Sequence, residues 1–267
     1  MTLRTSEPPN LRTPVLTALR SALYDALLCA WTLACSMPAY LLTFLPARAP
    51  MVWWARLWID GIGFLERTML GLSYVMQGRE NLPALPYIVA MQHQSAWETF
   101  KLLQWFPDAA IVMKEELLRL PLWGVCVRRY GCIPVARSRK VEDLHRFLAA
   151  AHKMADSQRP IVIFPQGTRV SGTGDRGLGT GKSASSVPSP QSLVPKYNKG
   201  VAVLQEELKL PVIPVTLDSG KFWGRRAFLK YPGTVTVRIH PPIAPGLSRD
   251  ELLQKIREIF EDPTNAA

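Results

Sequence analysis

The sequence predicts an α/β protein, with a mixed, largely parallel sheet flanked by helices and an N-terminal helical membrane-binding segment. From residue 76 onward, short apolar runs of strand length alternate with longer stretches of helical period, a pattern typical of parallel sheets. Before that domain, residues 51–75 mix tryptophan with charged residues, and Ala26 to Pro46 carries no charge at all. We therefore divide the chain into N-terminal membrane-anchoring helices (residues 1–75) and an α/β domain (residues 76–267).

The N-terminal segment is long enough to enter a membrane. At about 1.5 Å per residue, the uncharged run spans a hydrocarbon core of about 30 Å. Pro38 interrupts it, so two short helices inserted into one leaflet are an alternative to one spanning helix. Ala47-Arg48-Ala49 resembles a signal-peptide cleavage site, but the run is longer than a signal core and Pro50 follows directly. We expect a retained anchor, preceded by a loosely ordered stretch at residues 1–13.

The net positive charge of the chain indicates anionic partners. The net charge is +11 and the pI is about 9.8, which favours a membrane surface, a phosphate-bearing substrate, an acidic protein or a nucleic acid. Nucleic-acid binding predicts aromatic residues interleaved with basic ones. The aromatic residues cluster instead in the N-terminal third, so we expect no nucleic-acid partner. The amphipathic stretch at residues 51–75 fits either a membrane interface or packing on the domain core.

The α/β domain contains recognisable strands and helices. Each strand is a short apolar run bounded by turn-forming residues, and each helix is a longer stretch with apolar residues at helical spacing. The predicted strands are residues 87–90, 111–113, 161–164, 212–215 and 235–239, and the predicted helices are near 96–106, 140–155, 199–208 and 248–261.

The segment Met91–Phe100 holds the histidine best placed for chemistry. His93 lies where a strand passes into a helix, and Glu98 follows five residues later. On one helix that spacing places the two side chains on different faces, so they meet only if His93 precedes the helix and Glu98 lies in its first turn. A carboxylate there orients a general base. The alternative is a capping box from Ser95 to Glu98, in which Glu98 only accepts a backbone hydrogen bond.

A second polar motif, Phe164-Pro165-Gln166-Gly167-Thr168-Arg169, directly follows another strand. Glycine allows close approach of the backbone to an anion, while threonine and arginine supply a hydroxyl and a bidentate guanidinium. The motif suits phosphate binding, although alone it also fits an ordinary turn. Residues 171–195, which follow it, are predicted to be a flexible insertion. Their Gly179-Thr180-Gly181-Lys182-Ser183 is not a nucleotide-binding loop, because the required first glycine is missing.

Metal and disulfide chemistry are not expected. Cys29 and Cys35 lie in the apolar segment, and the spacing of Cys126 and Cys132 does not match a zinc site. We expect all four cysteines to be reduced and structural, in a protein facing the cytosol. The other three histidines are expected at the surface or packed, without a metal role: His145, His152 and His240.

Four motifs in one order carry a resemblance to a known family. They are His93-x-x-x-x-Glu98, Lys114-Glu115-Glu116-Leu117 with Pro121 and Gly124, Phe164 to Arg169, and Val212-Ile213-Pro214-Val215. Over about residues 76–247 the chain resembles the glycerolipid acyltransferases, and looks most like the bacterial 1-acyl-sn-glycerol-3-phosphate acyltransferases. The order and spacing of all four motifs are far more specific than any one of them.

The resemblance implies a reaction and a role for each matching residue. His93 would be the general base on the sn-2 hydroxyl of lysophosphatidic acid, oriented by Glu98, and the product would be phosphatidic acid. The acyl donor would be acyl-CoA or acyl-carrier protein as co-substrate, with no cofactor. The resemblance further implies an enzyme of phospholipid biosynthesis at the bacterial inner (cytoplasmic) membrane, with its catalytic domain facing the cytoplasm. The implied substrate-binding residues are Lys114, Arg137, Gln166, Gly167, Thr168 and Arg169.

Two residues depart from the family pattern. Glu98 stands where the family usually has aspartate, and Gln166 where it usually has glutamate. The longer carboxylate can be accommodated in a loop, and glutamine can still hydrogen-bond where a charge is not needed. Two other functions stay open: acylation of a different lysolipid, such as a lyso-ornithine lipid, and a non-catalytic basic membrane-binding protein.

Overall fold

The computed structural model describes residues 14–136, 140–167 and 197–265. Within these ranges the chain forms a seven-stranded sheet and seven α-helices. The strands are β1 (Leu72–Gln77), β2 (Ile88–Met91), β3 (Ala110–Lys114), β4 (Ile133–Val135), β5 (Ile161–Ile163), β6 (Val212–Leu217) and β7 (Gly233–Ile239). The helices are α1 (Pro14–Leu42), α2 (Ala49–Leu65), α3 (Leu102–Trp105), α4 (Trp123–Tyr130), α5 (Val141–Asp156), α6 (Gly200–Leu208) and α7 (Arg249–Glu261).

The sheet is mixed and largely parallel, which confirms the predicted fold class. Its strand order is β1-β7-β6-β2-β5-β3-β4. Only the β6–β7 pair is antiparallel, and every other neighbouring pair is parallel. The carboxyl ends of β2, β3, β5 and β6 therefore lie at the same edge of the sheet. In open α/β sheets that edge is where ligands bind.

Both faces of the sheet are buried, as the apolar runs require. Successive side chains of a strand point to opposite faces, and β2 shows this directly. Val89 and Met91 join the apolar cluster that also contains residues of α1 and α2. Ile88 and Ala90 join the opposite cluster, with residues of α5, α6 and α7. Strand β2 thus contributes to two separate cores.

The N-terminal helices pack on the domain along one side only. Tyr24, Met51 and Ile59 are buried in the core, whereas Trp53 and Phe64 stay largely exposed. The stretch at 51–75 therefore packs on the core with one face, as one sequence alternative predicted, and leaves apolar residues uncovered on the other. Contact of that second face with a membrane interface stays a prediction. Within the described residues, Val15–Leu42 is the helix whose length and hydropathy would allow it to cross a membrane. Pro38 lies inside that helix and does not divide it.

Several boundaries differ from those predicted. Strand β1 begins before residue 76 and pairs with β7, so the sheet starts inside the segment assigned to the anchor. Strands β1 and β4 and helix α4 were not predicted. The single helix predicted near 96–106 is wrong: a 3₁₀ turn (Trp97–Phe100) is followed by the four-residue α3. The predicted insertion at 171–195 and the predicted loose stretch at 1–13 lie outside the described residues.

Candidate active site

The polar side chains singled out by the sequence gather at the carboxyl edge of the sheet. His93 lies two residues after β2, Lys114 is the last residue of β3, and Gln166 follows β5. Glu98 lies in the 3₁₀ turn that follows the β2 loop. Parallel pairing of β2 with both β5 and β6 brings these loops together.

His93 and Glu98 form a hydrogen-bonded pair. The His93 Nδ1 atom lies 2.9 Å from Oε1 of Glu98. The histidine side chain is 15% exposed and the glutamate side chain is fully buried. A carboxylate accepts hydrogen bonds, so Nδ1 carries the proton and Nε2 keeps a free lone pair. The arrangement matches the sequence expectation that His93 precedes the helical turn and Glu98 lies in its first turn.

The other hydrogen bonds of Glu98 cap the start of the helical turn, as the alternative interpretation of the sequence predicted. Its Oε1 also accepts from the backbone N–H groups of Gln94 and Ser95, each at 2.8 Å. Its Oε2 accepts from the hydroxyl of Ser95 at 2.8 Å and from that of Ser219 at 2.9 Å. The Ser95 hydroxyl accepts in turn from the N–H of Trp97. Glu98 therefore organises the start of the turn and contacts His93 at the same time.

Two further contacts hold His93, one through its backbone and one through its ring. Its backbone N–H donates to Oε1 of Gln166 at 2.8 Å. Its ring lies against that of Phe164, with 4.4 Å between the centroids and 34° between the planes. Gln166 is buried, and it accepts this bond through a neutral oxygen. Glutamine can therefore supply the hydrogen bond that this position makes here without a carboxylate.

Ser219 is the site residue that sequence reasoning missed. It lies just beyond β6 in a 3₁₀ turn, is buried and contacts the carboxylate of Glu98. The next residue, Gly220, donates its N–H to the side chain of Gln94 at 3.0 Å. The sequence signal was only its position directly after an apolar strand.

The structure brings some of the predicted substrate-binding residues together. Gly167 has a φ of +65°, and an added Cβ would lie 2.2 Å from the Asn198 side chain, so glycine is required by both conformation and space. Gly167 and Lys114 line the same cavity as His93. Arg137, Thr168 and Arg169 lie outside the described residues.

A large cavity of about 1460 Å³ opens in front of His93. Its walls come from α1 and α2 on one side and from the sheet domain on the other. Apolar side chains form most of the lining, including Ala39, Trp54, Trp58, Leu103 and Phe100. The chain therefore places a polar, hydrogen-bonded imidazole at the wall of an apolar space.

A buried ion pair supports the turn that carries Glu98. The ammonium group of Lys101 contacts the carboxylate of Glu66, and both side chains are almost fully buried. The indole N–H of Trp97 donates to the same carboxylate at 3.1 Å. Burial raises the pKa of Glu66, while Lys101 opposes that shift. The residues flanking Glu98 are thus tied to the π-helical turn that follows α2.

The cysteines are free thiols, and two of the other histidines contact polar side chains. The four cysteines are unpaired, and burial raises the pKa of Cys132 to about 11. His152 pairs with Glu207 at 3.1 Å, and His240 contacts the Thr216 hydroxyl at 2.8 Å. Among the described residues, no cluster of three or more His, Cys, Asp or Glu side chains could hold a metal ion.

The fold and the site define an enzyme of the acyltransferase class. Residues 73–218 match the protein family described as Acyltransferase, and the chain belongs to that family. The chain is 28% identical over 225 residues to the 1-acyl-sn-glycerol-3-phosphate acyltransferase of Pseudomonas aeruginosa, covering 84% of this chain and 80% of that protein. It is 27% identical over 213 residues to the protein of the same description from Saccharomyces cerevisiae, covering 77% of this chain and 65% of that protein.

A solved structure shares the fold. The crystal structure of the 1-acyl-sn-glycerophosphate (LPA) acyltransferase PlsC from Thermotoga maritima superposes with a TM-score of 0.61. The match covers 92% of each chain at 22% sequence identity.

Proposed function

We propose that the protein transfers a fatty acyl group from acyl-CoA or acyl-carrier protein to the sn-2 hydroxyl of lysophosphatidic acid, giving phosphatidic acid in phospholipid biosynthesis. The observation that carries the proposal is the hydrogen bond from His93 to the buried carboxylate of Glu98 at the wall of the apolar cavity. The descriptions of the similar bacterial and yeast proteins support the choice of acceptor.

The reaction follows from the position of the free imidazole nitrogen. Nε2 of His93 removes the proton from the acceptor hydroxyl, and the oxygen attacks the thioester carbonyl to form the new ester bond. The carbon–sulfur bond breaks, and the thiolate takes the proton back from Nε2. Glu98 stabilises the imidazolium that exists between these two transfers. No covalent acyl-enzyme is formed. The hydroxyl of Ser95 has a structural role, because it is hydrogen-bonded to Glu98 and Trp97 within the turn.

The turn after His93 contributes little helix dipole. A long helix starting near Ser95 would place a positive dipole end beside His93. The 3₁₀ turn spans only Trp97–Phe100, so its dipole is small, and the carboxylate of Glu98 is the charge in direct contact with the ring. The charge of Glu98 therefore carries the electrostatic part of the mechanism.

The cavity suits the acyl chain, and the anion-binding motif suits the phosphate. We assign the apolar space between α2 and the sheet domain to the hydrocarbon tail, because tail burial there removes apolar surface from water. Gly167, Thr168 and Arg169 would hold the acceptor phosphate, with Lys114 and Arg137 as further cationic contacts. The exposed apolar face of the N-terminal helices would bind the bacterial inner membrane, with the sheet domain on the cytoplasmic side.

The test is acyl transfer by the purified, detergent-solubilised protein. Labelled acyl-CoA and lysophosphatidic acid are offered to wild type and to His93→Ala, with the chain length of both substrates fixed. Wild type should make phosphatidic acid, and the variant should be slower by about 10²-fold or more. His152→Ala is the matched control, since His152 lies on α5 and pairs only with Glu207 among the described residues.

Other outcomes separate the alternatives. Equal rates of product formation by wild type and His93→Ala would refute the general-base role and reduce Glu98 to a helix cap. No product from either protein, whatever the donor and acceptor, would favour a non-catalytic basic membrane-binding protein. Product from a lyso-ornithine lipid but not from lysophosphatidic acid would keep the chemistry and change the acceptor. Activity with acyl-carrier protein alone would identify the donor.

A further inference from the structure

The loop between β6 and β7 is built as a rigid extension of the His93–Glu98 site. At its start, Ser219 binds the carboxylate of Glu98 and Gly220 binds the side chain of Gln94. The N–H of Tyr231 donates to the carbonyl of Phe222 at 2.9 Å and closes the loop at its base. Any ligand contact made by the loop is therefore fixed relative to His93.

Two anchors hold the base of the loop against the rest of the protein. Trp223 is buried, and its ring packs edge-on against that of Tyr24 with 5.6 Å between centroids. The buried Lys230 pairs with Asp25 at 2.8 Å and donates its backbone N–H to the hydroxyl of Ser21. These contacts leave only the tip of the loop free to meet a ligand.

The tip is a tight turn with two arginines at its centre. The N–H of Ala227 donates to the carbonyl of Gly224 at 3.2 Å, which places Arg225 and Arg226 at the two central positions. Arg226 has a φ of +59°, in the left-handed region that side chains with a Cβ seldom adopt. Backbone strain of this kind concentrates at functional sites.

Both arginines line the cavity that contains His93, and both are solvent-exposed. Within the described part of the chain, neither makes an ion pair or a hydrogen bond through its side chain. Asp143 is the one carboxylate among the described residues that line the cavity. Among the described residues, no carboxylate pairs with either arginine, and a guanidinium group can bind a phosphate through two N–H groups at once.

We propose that Arg225 and Arg226 form a second phosphate-binding element, which holds a phosphate group of one of the two substrates at the rim of the cavity. The inference rests on the proposed function, and it adds residues outside the four sequence motifs. The phosphate has two sources, the headgroup of lysophosphatidic acid and the nucleotide portion of acyl-CoA. Both present the same chemistry, so the experiment must distinguish them.

The experiment compares Arg225→Gln/Arg226→Gln with wild type. Glutamine also has a Cβ, so the backbone strain at the tip is unchanged. The matched control is Lys153→Gln/Lys255→Gln, which removes two exposed positive charges from α5 and α7, outside the cavity. KM for each substrate is measured in detergent micelles at saturating concentrations of the other.

The result expected is a rise of about tenfold or more in one KM, as for the loss of a charge-assisted hydrogen bond, and no change in the control variant. A rise for lysophosphatidic acid alone assigns the acceptor phosphate. A rise for acyl-CoA alone, absent when acyl-pantetheine is the donor, assigns the donor phosphates. Both KM values within twofold of the control would overturn the proposal. Weaker binding of the double variant to anionic vesicles, with unchanged KM values, would also overturn the proposal, because the loop would then contact the membrane surface.

Equilibrium binding separates this proposal from the proposed function. Binding of lysophosphatidic acid and of CoA is measured by calorimetry with His93→Ala protein, with and without the two arginine substitutions. Weaker binding of one ligand by about tenfold supports the phosphate site even where no acceptor is turned over. Equal binding of both ligands refutes it, whatever the wild-type activity.

Discussion

Replacing Glu98 by glutamine removes the charge of the carboxylate and keeps its shape. Oε1 of Glu98 accepts from the His93 ring and from the backbone N–H groups of Gln94 and Ser95, and the two backbone groups cannot accept in return. Oε2 faces two hydroxyls, those of Ser95 and Ser219, and a hydroxyl can accept as well as donate. The glutamine amide therefore fits with its NH₂ toward the hydroxyls and its oxygen toward the ring. The proton stays on Nδ1 and the fold is preserved.

The loss of rate then measures the charge alone. The imidazolium and the carboxylate are hydrogen-bonded at 2.9 Å, which places the centres of charge about 4 Å apart. At an effective dielectric constant of about 20, two unit charges at that separation attract by about 4 kcal/mol. Since each factor of ten in rate corresponds to about 1.4 kcal/mol, we expect kcat to fall by up to about 10³-fold.

The assay is steady-state acyl transfer with lysophosphatidic acid at saturation. Thermal unfolding of the variant, monitored in the same detergent, checks that the fold is unchanged. Ser219→Ala is the control, because it removes one neutral hydrogen bond and no charge, and its kcat should fall by no more than about tenfold. A Glu98→Gln kcat within threefold of wild type, with His93→Ala inactive, would refute the electrostatic role and reduce Glu98 to a helix cap.

Two further predictions concern stability. Lys101→Met leaves the buried carboxylate of Glu66 uncompensated and should lower the free energy of unfolding by about 3–5 kcal/mol. Adding Glu66→Gln to this variant should restore most of that loss. Equal losses in the single and the double variant would contradict the ion-pair argument. Burial lowers the pKa of His240 below its ordinary value of about 6.5. As pH falls, this histidine is therefore protonated in the unfolded chain before it is protonated in the folded protein. The free energy of unfolding should consequently decline below about pH 6.5. Denaturant unfolding between pH 5 and 8 should show a shallower decline of the free energy of unfolding for His240→Gln than for wild type. Identical pH profiles for the two proteins would show that His240 does not cause the decline.

The sheet was largely predictable because both of its faces are buried. Fully buried strands appear in a sequence as short, continuous apolar runs, and β2, β3, β5 and β6 were predicted in this way. Strand β7 was also predicted, although it buries only alternate residues. Strand β1 was missed because its polar residues, such as Ser73 and Gln77, lie on one face and break the run. Strand β4 is three residues long and contains Pro134, which argues against a strand in any sequence pattern.

The candidate site was predictable only where its residues lie near one another in the chain. His93 and Glu98 are five residues apart, so one turn decides whether they meet. Ser219 contacts the same carboxylate from 121 residues further along the chain, and a serine after a strand has no distinguishing pattern. Arg225 and Arg226 do not belong to any of the four sequence motifs, and their place at the cavity rim depends on how the loop closes.

The N-terminal helices form part of the site. Glu66, which follows α2, binds both Lys101 and the indole of Trp97 on either side of Glu98. Arg48, just before α2, pairs with Asp108 beside β3. The same two helices supply one wall of the cavity. A force that moves them relative to the sheet therefore changes the support of the Glu98 turn and the shape of the apolar space together. The membrane contact proposed for their exposed face is therefore linked to the geometry at His93 through one set of buried contacts.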